Sequence, residues 1–240
     1  MDIRLISGNP ELVAHVRNDN FEFWRKNAKE NLAKLHMSLQ ERHVRSGELA
    51  YLLEPDLKEA RGGLRDIQAL KAISSAGIVP VPLEKISWAE ATLNNVRESL
   101  HIASGRGKDR LLFQEQDKVA QLLAYSDADA MMGEVAQAAR SVDYLLNYTW
   151  HAIEHKGKDG LGKYITKNRV TAVAKNVSAI NREIVVDSLG SLDEDPLVGL
   201  RAAATAAQLG LPLSLKTCTE LAASLKNGEG TVSYTHLTLP

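Results

Sequence analysis

Several short stretches of the sequence carry residue types whose spacing could support chemistry. His151, Glu154 and His155 in HAIEH match an H-x-x-E-H spacing, which sets both imidazoles on one helix face as zinc ligation needs. The helix is ending there, no further glutamate ligand is identifiable, and a last turn favours imidazoles through the helix dipole without any metal. Asp127 and Asp129 in DAD have the spacing of a carboxylate pair that holds magnesium against triphosphate oxygens. That chemistry needs the pair on a strand beside a phosphate loop, whereas this one follows Ser126 in the first turn of a helix, where acids are common. DED, Asp193 to Asp195, reads as a loop and an N-cap. GRGK, Gly105 to Lys108, lacks the four-residue gap and the trailing hydroxyl of a P-loop. The single Cys218, flanked on its helix face by Leu215 and Leu221, reads as a small buried hydrophobe.

The richest stretch is EPDLKEARGGLRDIQAL, Glu54 to Leu70. Gly62 and Gly63 stand between a charged run (Lys58, Glu59, Arg61) and a helical pattern that starts near Leu64. A strand bearing Asp56 and Lys58, a glycine pair, and a helix opening with Arg65 would offer free amides and a positive dipole end to a phosphate. The other reading is structural, with Arg65 paired to Asp56, Glu59 or another acid. Residue types alone leave both open.

These stretches must be positioned by surrounding elements. A first helix opens at Asn9-Pro10-Glu11. A longer one carries an apolar stripe of Phe21, Trp24, Ala28, Leu32, Leu35 and Leu39, with Arg25, Lys26, Lys29, Glu30 and Lys34 on its solvated faces. Leu49 to Leu53, interrupted by Pro55, reads as an edge or bulged strand. Leu64, Ile67, Leu70 and Ile73 hold helical spacing up to Gly77, and Ser87 with Glu90 forms a capping-box pattern ahead of Leu93, Val96 and Leu100. A helix begins near Gln116. Ser126 is expected to cap the longest helix, whose stripe is Met131, Val135, Ala138, Val142, Leu145 and Thr149. REIVVDS reads as a short strand, Asp195-Pro196 as the start of an alanine-rich helix ending at Gly210, and Ser214 as the start of another.

The bulk numbers narrow the class. The 240 residues are 44% hydrophobic and 25% charged, with net charge −1 and one cysteine. This is globular composition without a global basic field, so neither nucleic acid nor an anionic membrane is an expected partner. No apolar run approaches the roughly 20 residues of a bilayer span. One cysteine excludes an internal disulfide and fits a cytoplasmic setting. The expected fold is mainly α, a helical bundle with one or two short strands.

Two blocks carry a family resemblance. LEPDLKEARGGLRDIQAL resembles the E-P-x-[IL]-K…G-G-L-R-D signature of the PII-protein uridylyltransferase/uridylyl-removing enzymes, and DRLLFQEQDKVAQLL, Asp109 to Leu123, is similar to a later segment of that family. DEDPLVGLRAAATAA is similar to the family's lead-in to its next domain, in an actinobacterial style. The resemblance implies transfer of UMP, or AMP in actinobacterial relatives, from UTP or ATP to a tyrosine of PII protein. Hydrolytic removal, magnesium and glutamine sensing through ACT domains are implied with it. It further implies Lys58, Gly62, Gly63 and Arg65 as nucleotide-binding candidates, and Asp56, Asp66, Asp109 and Arg110 as structural motif residues. Neither the glycine-loop D-x-D centre nor a His-Asp dipeptide occurs in the sequence, so no family catalytic residue is carried over. The expected divisions are residues 1–50, closing helices of a truncated nucleotidyltransferase domain; 51–156, the bundle; 157–231, a lead-in to a missing hydrolase domain; and 232–240, a tail. That tail, VSYTHLTLP, resembles the translation of a transposase adapter and is excluded from fold reasoning. Two rival readings are a non-catalytic helical interaction module and a relative of glutamine-synthetase adenylyltransferase, whose pattern is similar.

Overall fold

Asn9 starts the first helix as its spacing predicts. In the computed structural model, which describes residues 3, 5–158, 170–187, 195 and 197–227, its Oδ1 accepts the Glu11 N–H at 2.8 Å and Pro10 opens the first turn. Helix α1 (Pro10–Lys26) and helix α2 (Ala28–Ser46) divide what the apolar stripe predicts as one helix. The break is Asn27, whose Nδ2 donates to the Phe23 carbonyl at 3.0 Å and so competes with the backbone ladder. Residues of the stripe on α2, Ala28, Leu32 and Leu39, are buried. No residue of α1 is buried; Trp24 and Arg25 tie it on by donating to the carbonyls of Ala72 and Ser75.

The strand expected at Leu49–Leu53 does not form. Leu49–Tyr51 is a 3₁₀ turn that buries Leu49 and leaves Leu53 exposed. No strand lies alongside: Glu48 meets Arg61, and Asp56 meets Arg110, in single-residue bridges. Pro55 has no N–H to extend either one. Helix α3 (Leu64–Ala76) runs as its spacing predicts and ends at left-handed Gly77. The capping box at Ser87 is absent because a 3₁₀ turn, Leu83–Ile86, leads straight into helix α4 (Ser87–Ser104), so Ser87 is itself helical, at φ −59 and ψ −38, where an N-cap needs extended backbone. Ser87 Oγ instead donates to Glu84 O, and Glu90 takes Lys71.

Helix α5 (Phe113–Leu122) precedes helix α6 (Ala128–Lys158). The cap of α6 is Asp127, which accepts the Ala130 N–H at 2.7 Å, while Ser126 donates to Asp127. The predicted α6 stripe from Met131 to Thr149 is buried throughout and forms the bundle's axis against α3, α4 and α5. The Thr149 hydroxyl, buried with it, donates to Leu145 O.

The chain divides after Lys158 into two compact units. The second holds an antiparallel meander of β1 (Thr171–Ala174), β2 (Val177–Ile180) and β3 (Glu183–Val186), with helices α7 (Val198–Leu209) and α8 (Leu215–Asn227). Only β3 was legible from the sequence pattern. Its hairpin with β2 turns at Asn181-Arg182, both at positive φ, the geometry of a two-residue hairpin turn without the usual glycine. Val177, Ile184, Val186, Val198 and Ala202 make this unit's core. Ser214 starts α8 by accepting the Thr217 N–H at 3.1 Å, and Cys218 on that helix is half-buried rather than fully enclosed. The expected tail at Val232–Pro240, most of the DED stretch and the His155 side chain lie outside the described residues.

Two glycines separate steric need from conformational need. Gly62 has φ +85 and an added Cβ would sit 2.5 Å from the Ala139 carbonyl oxygen; Gly77 has φ +69 with nothing within 4 Å. Gly77→Ala should cost about 1 kcal/mol for the left-handed conformation. Gly62→Ala adds overpacking against backbone, so roughly 2–4 kcal/mol is expected by denaturant unfolding. Equal losses at the two positions would show that the close approach to α6 does not matter.

Candidate functional site

The stretch from Glu54 to Asp66 folds into a knot of turns that most of the bundle surrounds. Asp56 Oδ1 accepts the N–H groups of Lys58 and Glu59 at 2.9 and 2.7 Å, curling the chain so that Leu57 and Ala60 become fully buried. Gly63 then passes close over that curl: an added Cβ would lie 2.8 Å from both the Leu57 and Ala60 carbonyl oxygens. The amides from Gly62 to Asp66 are all engaged. Gly62 donates to Asp66 Oδ2 at 2.7 Å, Gly63 to Ala60, Leu64 to Leu57, Arg65 to Lys58 and Asp66 to Gly63. The free amides on which the phosphate reading leaned are therefore turned inward, as backbone partners of the knot.

Three carboxylates pin this knot to its neighbours. Asp66 has no solvent exposure; the Arg42 guanidinium donates to its Oδ1, and His43 Nε2 lies 2.9 Å from the same oxygen. Burial pushes the Asp66 carboxyl up, but His43, Arg42 and the Gly62 amide together hold it below its ordinary value. Asp109 receives Arg97 Nε at 2.6 Å, has His101 Nε2 at 2.9 Å, and lies 3.6 Å from Lys58 Nζ. Partial burial raises this carboxyl too, and the Arg97 and His101 contacts more than offset it. Asp143 on α6 takes Arg61 in a two-pronged pair, Nε at 2.6 Å and Nη2 at 3.1 Å, with Glu48 at 3.3 Å from Nη1. One knot is thus fastened to α2, α4 and α6 by charge.

The predicted residues divide accordingly. Gly62, Gly63 and Asp66 meet in one cluster, with Asp56 at its entry. Lys58 turns to Asp109. Arg65 turns the other way, 3.2 Å from Glu59 Oε1 and donating to Gln68 Oε1 at 3.0 Å. It lines an open cleft of about 430 Å³ together with Arg42, Arg45, Glu59 and Gln68. Arg110 stands apart, exposed beside Glu54 at 3.4 Å. Sequence reading missed Arg42, His43, Arg97, His101 and Asp143. Only Arg97 and His101 left a signal, because an i,i+4 pair shares a helix face.

Among the described residues the other motifs do not assemble sites. Asp127 spends its Oδ1 on capping α6, and Asp129, two residues on, points away by about 200° at helical pitch, so the pair does not fit a magnesium clamp. Among the described residues no three His, Cys, Asp or Glu side chains group as metal ligands. No described helix is long and apolar enough to cross a membrane.

The sequence model of the family described as GlnD PII-uridylyltransferase matches residues 30–78 and 69–150, from α2 through the knot to α6. The chain belongs to this family. It is 39% identical to a bifunctional uridylyltransferase/uridylyl-removing enzyme of Streptomyces coelicolor over 94% of its own length, and 30% identical to one of Mycobacterium tuberculosis over the same share. A Corynebacterium glutamicum relative of that description is 29% identical over 92%. The chain spans only 28%, 29% and 32% of these three relatives. No solved structure matches it.

Acid sensitivity follows from the two held-down carboxyls. Their folded pKa values lie below the ordinary 3.8, so the stability they supply is present above that pH and lost as pH falls through the folded values. Asp66→Asn leaves the Arg42 guanidinium buried without its counter-charge, an expected loss of roughly 3–5 kcal/mol at neutral pH. The stability difference between Asp66→Asn and the parent should shrink below about pH 4. A difference that stays constant down to pH 2 or so would contradict the charged state of Asp66.

Proposed function

We propose that this chain is the bundle-containing part of an enzyme that transfers UMP or AMP from UTP or ATP to PII protein and removes it again, under glutamine control. The observation that carries this is the overlap of the family match with the ion-paired knot. Both share the stretch of Gly62, Gly63 and Asp66, which the fold uses as its joint. On this reading the bundle supports the reaction and the magnesium-binding carboxylates come from elsewhere in the polypeptide. What supports that division is the state of the local acids: Asp66, Asp109 and Asp143 are committed to cations, and Asp127 to a helix cap.

Within this proposal Arg65 is the residue placed to meet a nucleotide phosphate, since it lines the open cleft beside the knot while Gly62 and Gly63 shape the turn behind it. Lys58, drawn toward Asp109, holds the knot. The test uses the full-length enzyme. Arg65→Ala should lower transfer efficiency by about 10- to 100-fold, the scale of one charge-assisted contact. Removal activity and melting temperature should change little. Lys58→Ala should lower melting temperature and reduce both activities in proportion. A constant ratio of the two activities in Arg65→Ala would overturn the phosphate role, and PII modification by the 240-residue chain alone would overturn the division of labour.

A further inference from the structure

Helix α2 packs on α1 and α3. Toward α6 it reaches through a ring stack, His36 over Trp150, with centroids 4.4 Å apart and planes 12° from parallel. Beside that stack lies a cleft of about 580 Å³, lined by Leu32 and Ala33 of α2, Ile78 of the loop after α3, and Trp150 and Ile153 of α6. Leu32 and Trp150 are buried, and Ile78 and Ile153 are half-buried. Side chains of facing helices ordinarily interdigitate and leave few gaps wider than a water molecule. Here an apolar space remains that the bundle's own side chains do not fill.

One polar atom at this cleft has no answer in the packing. Trp150 is only 8% exposed, yet its indole N–H makes no hydrogen bond among the described residues. A buried indole N–H ordinarily finds an acceptor, as Trp24 does in the Ala72 carbonyl at 2.8 Å. Nor is the Trp150 nitrogen sealed in; it keeps accessible surface. The little of Trp150 that remains accessible therefore includes its donor, and the cleft is the space that Trp150 lines. Lys29 and Glu154 stand at the edge with opposite charge and make no ion pair with each other, so their fields offset and favour neither an anion nor a cation. Such a cleft is complementary to an apolar body with one acceptor.

We propose that this cleft binds a small neutral molecule whose apolar body carries one carbonyl or ether oxygen, that oxygen accepting the Trp150 N–H. Ligand pockets run from about 300 to 1,000 Å³, mostly apolar with a few placed polar groups that fix orientation, and this cleft falls in that range. A pure hydrocarbon would strand the donor, and an ion would shed its water without gaining a counter-charge. A docked helix would offer no free acceptor, since its carbonyls are committed to its own ladder. An extended peptide would bring several amide groups for which the apolar lining has no partners. The cleft shares no residue with that of Arg65, and its ligand does not depend on the function proposed above.

The experiment is titration of the 240-residue chain with 1-indanone and separately with indane, the same ring system without the oxygen, followed by calorimetry and by the three indole N–H signals in NMR. Indanone should bind saturably and move the Trp150 signal downfield, the direction of a new hydrogen bond, while the Trp24 and Trp88 signals stay in place. Indane should bind about 3- to 10-fold more weakly, the scale of one neutral hydrogen bond. This comparison uses the unaltered chain and so does not depend on how any variant folds. Trp150→Phe, which keeps a ring against His36, should bring indanone down to the affinity of indane and leave indane unchanged. Ala33→Trp, at an exposed position of the lining, should fill the cleft and abolish binding of both without moving the melting temperature. Lys29→Ala and Glu154→Ala should leave affinity unchanged. Absence of saturable binding, equal affinity for the two probes, indifference to Trp150→Phe, binding that survives Ala33→Trp, or a loss in either charge variant would each overturn the site.

Discussion

The bundle depends on a backbone approach that no side chain but hydrogen permits. Gly62 lies so near the Ala139 carbonyl of α6 that an added methyl would overlap it, and Gly63 lies equally near the carbonyls of Leu57 and Ala60. Such an approach brings polar backbone into a dry interior, where an unpaired amide costs on the order of a hydrogen bond's full desolvation. The Asp66 carboxylate answers the Gly62 amide. A buried carboxylate needs cations in turn, and Arg42 and His43 at the end of α2 supply them. From one contact of glycine with helix, the need for an acid and then for two basic residues follows by electrostatics.

The same logic spreads outward. Arg42 also donates to the Glu59 carbonyl, so the residues that neutralise Asp66 hold the curl that precedes it. Arg61, on that curl, reaches Asp143, four residues along α6 from the carbonyl that Gly62 touches. Steric contact and ion pair therefore fix the same helix at consecutive turns, which sets rotation as well as distance. Asp109 repeats the arrangement for α4, with Leu57 N–H donating to its carbonyl at 2.8 Å and Arg97 to its side chain. The buried Arg42–Asp66 pair gives modest net stability but penalises other arrangements, because each alternative strands a charge.

Sequence periodicity carried most of the helices. The α6 stripe, the α3 stripe and the Asn9-Pro10 start were legible because helix burial repeats at three and four residues and because caps use a small set of side chains. Failures came where local competition decided the outcome. Asn27 split one stripe into two helices, a 3₁₀ turn consumed the place of the Ser87 cap, and Asp127 displaced Ser126. The glycine pair was visible as a turn, but its reason was not. Contact with Ala139 lies 77 positions away in sequence (139 − 62), and nothing local to Gly62 encodes it. Arg42 and Asp143 were missed for the same reason, since each acts on a residue from a different element. The β1–β2 hairpin was missed because Asn176 stands at its left-handed turn position where glycine is the commoner sign.

Such a joint leaves little slack between the helices on either side. Native-state hydrogen exchange tests the central claim most directly, through the amides of Gly62 and Leu64. Both are donors within a turn segment, a setting that ordinarily opens by local fluctuation. If the knot organises the bundle, these two amides exchange only through global unfolding, with the same opening free energy as the α6 core at Val135 and Val142. Exchange from Gly62 and Leu64 through a smaller, local opening while α6 stays protected would contradict the account.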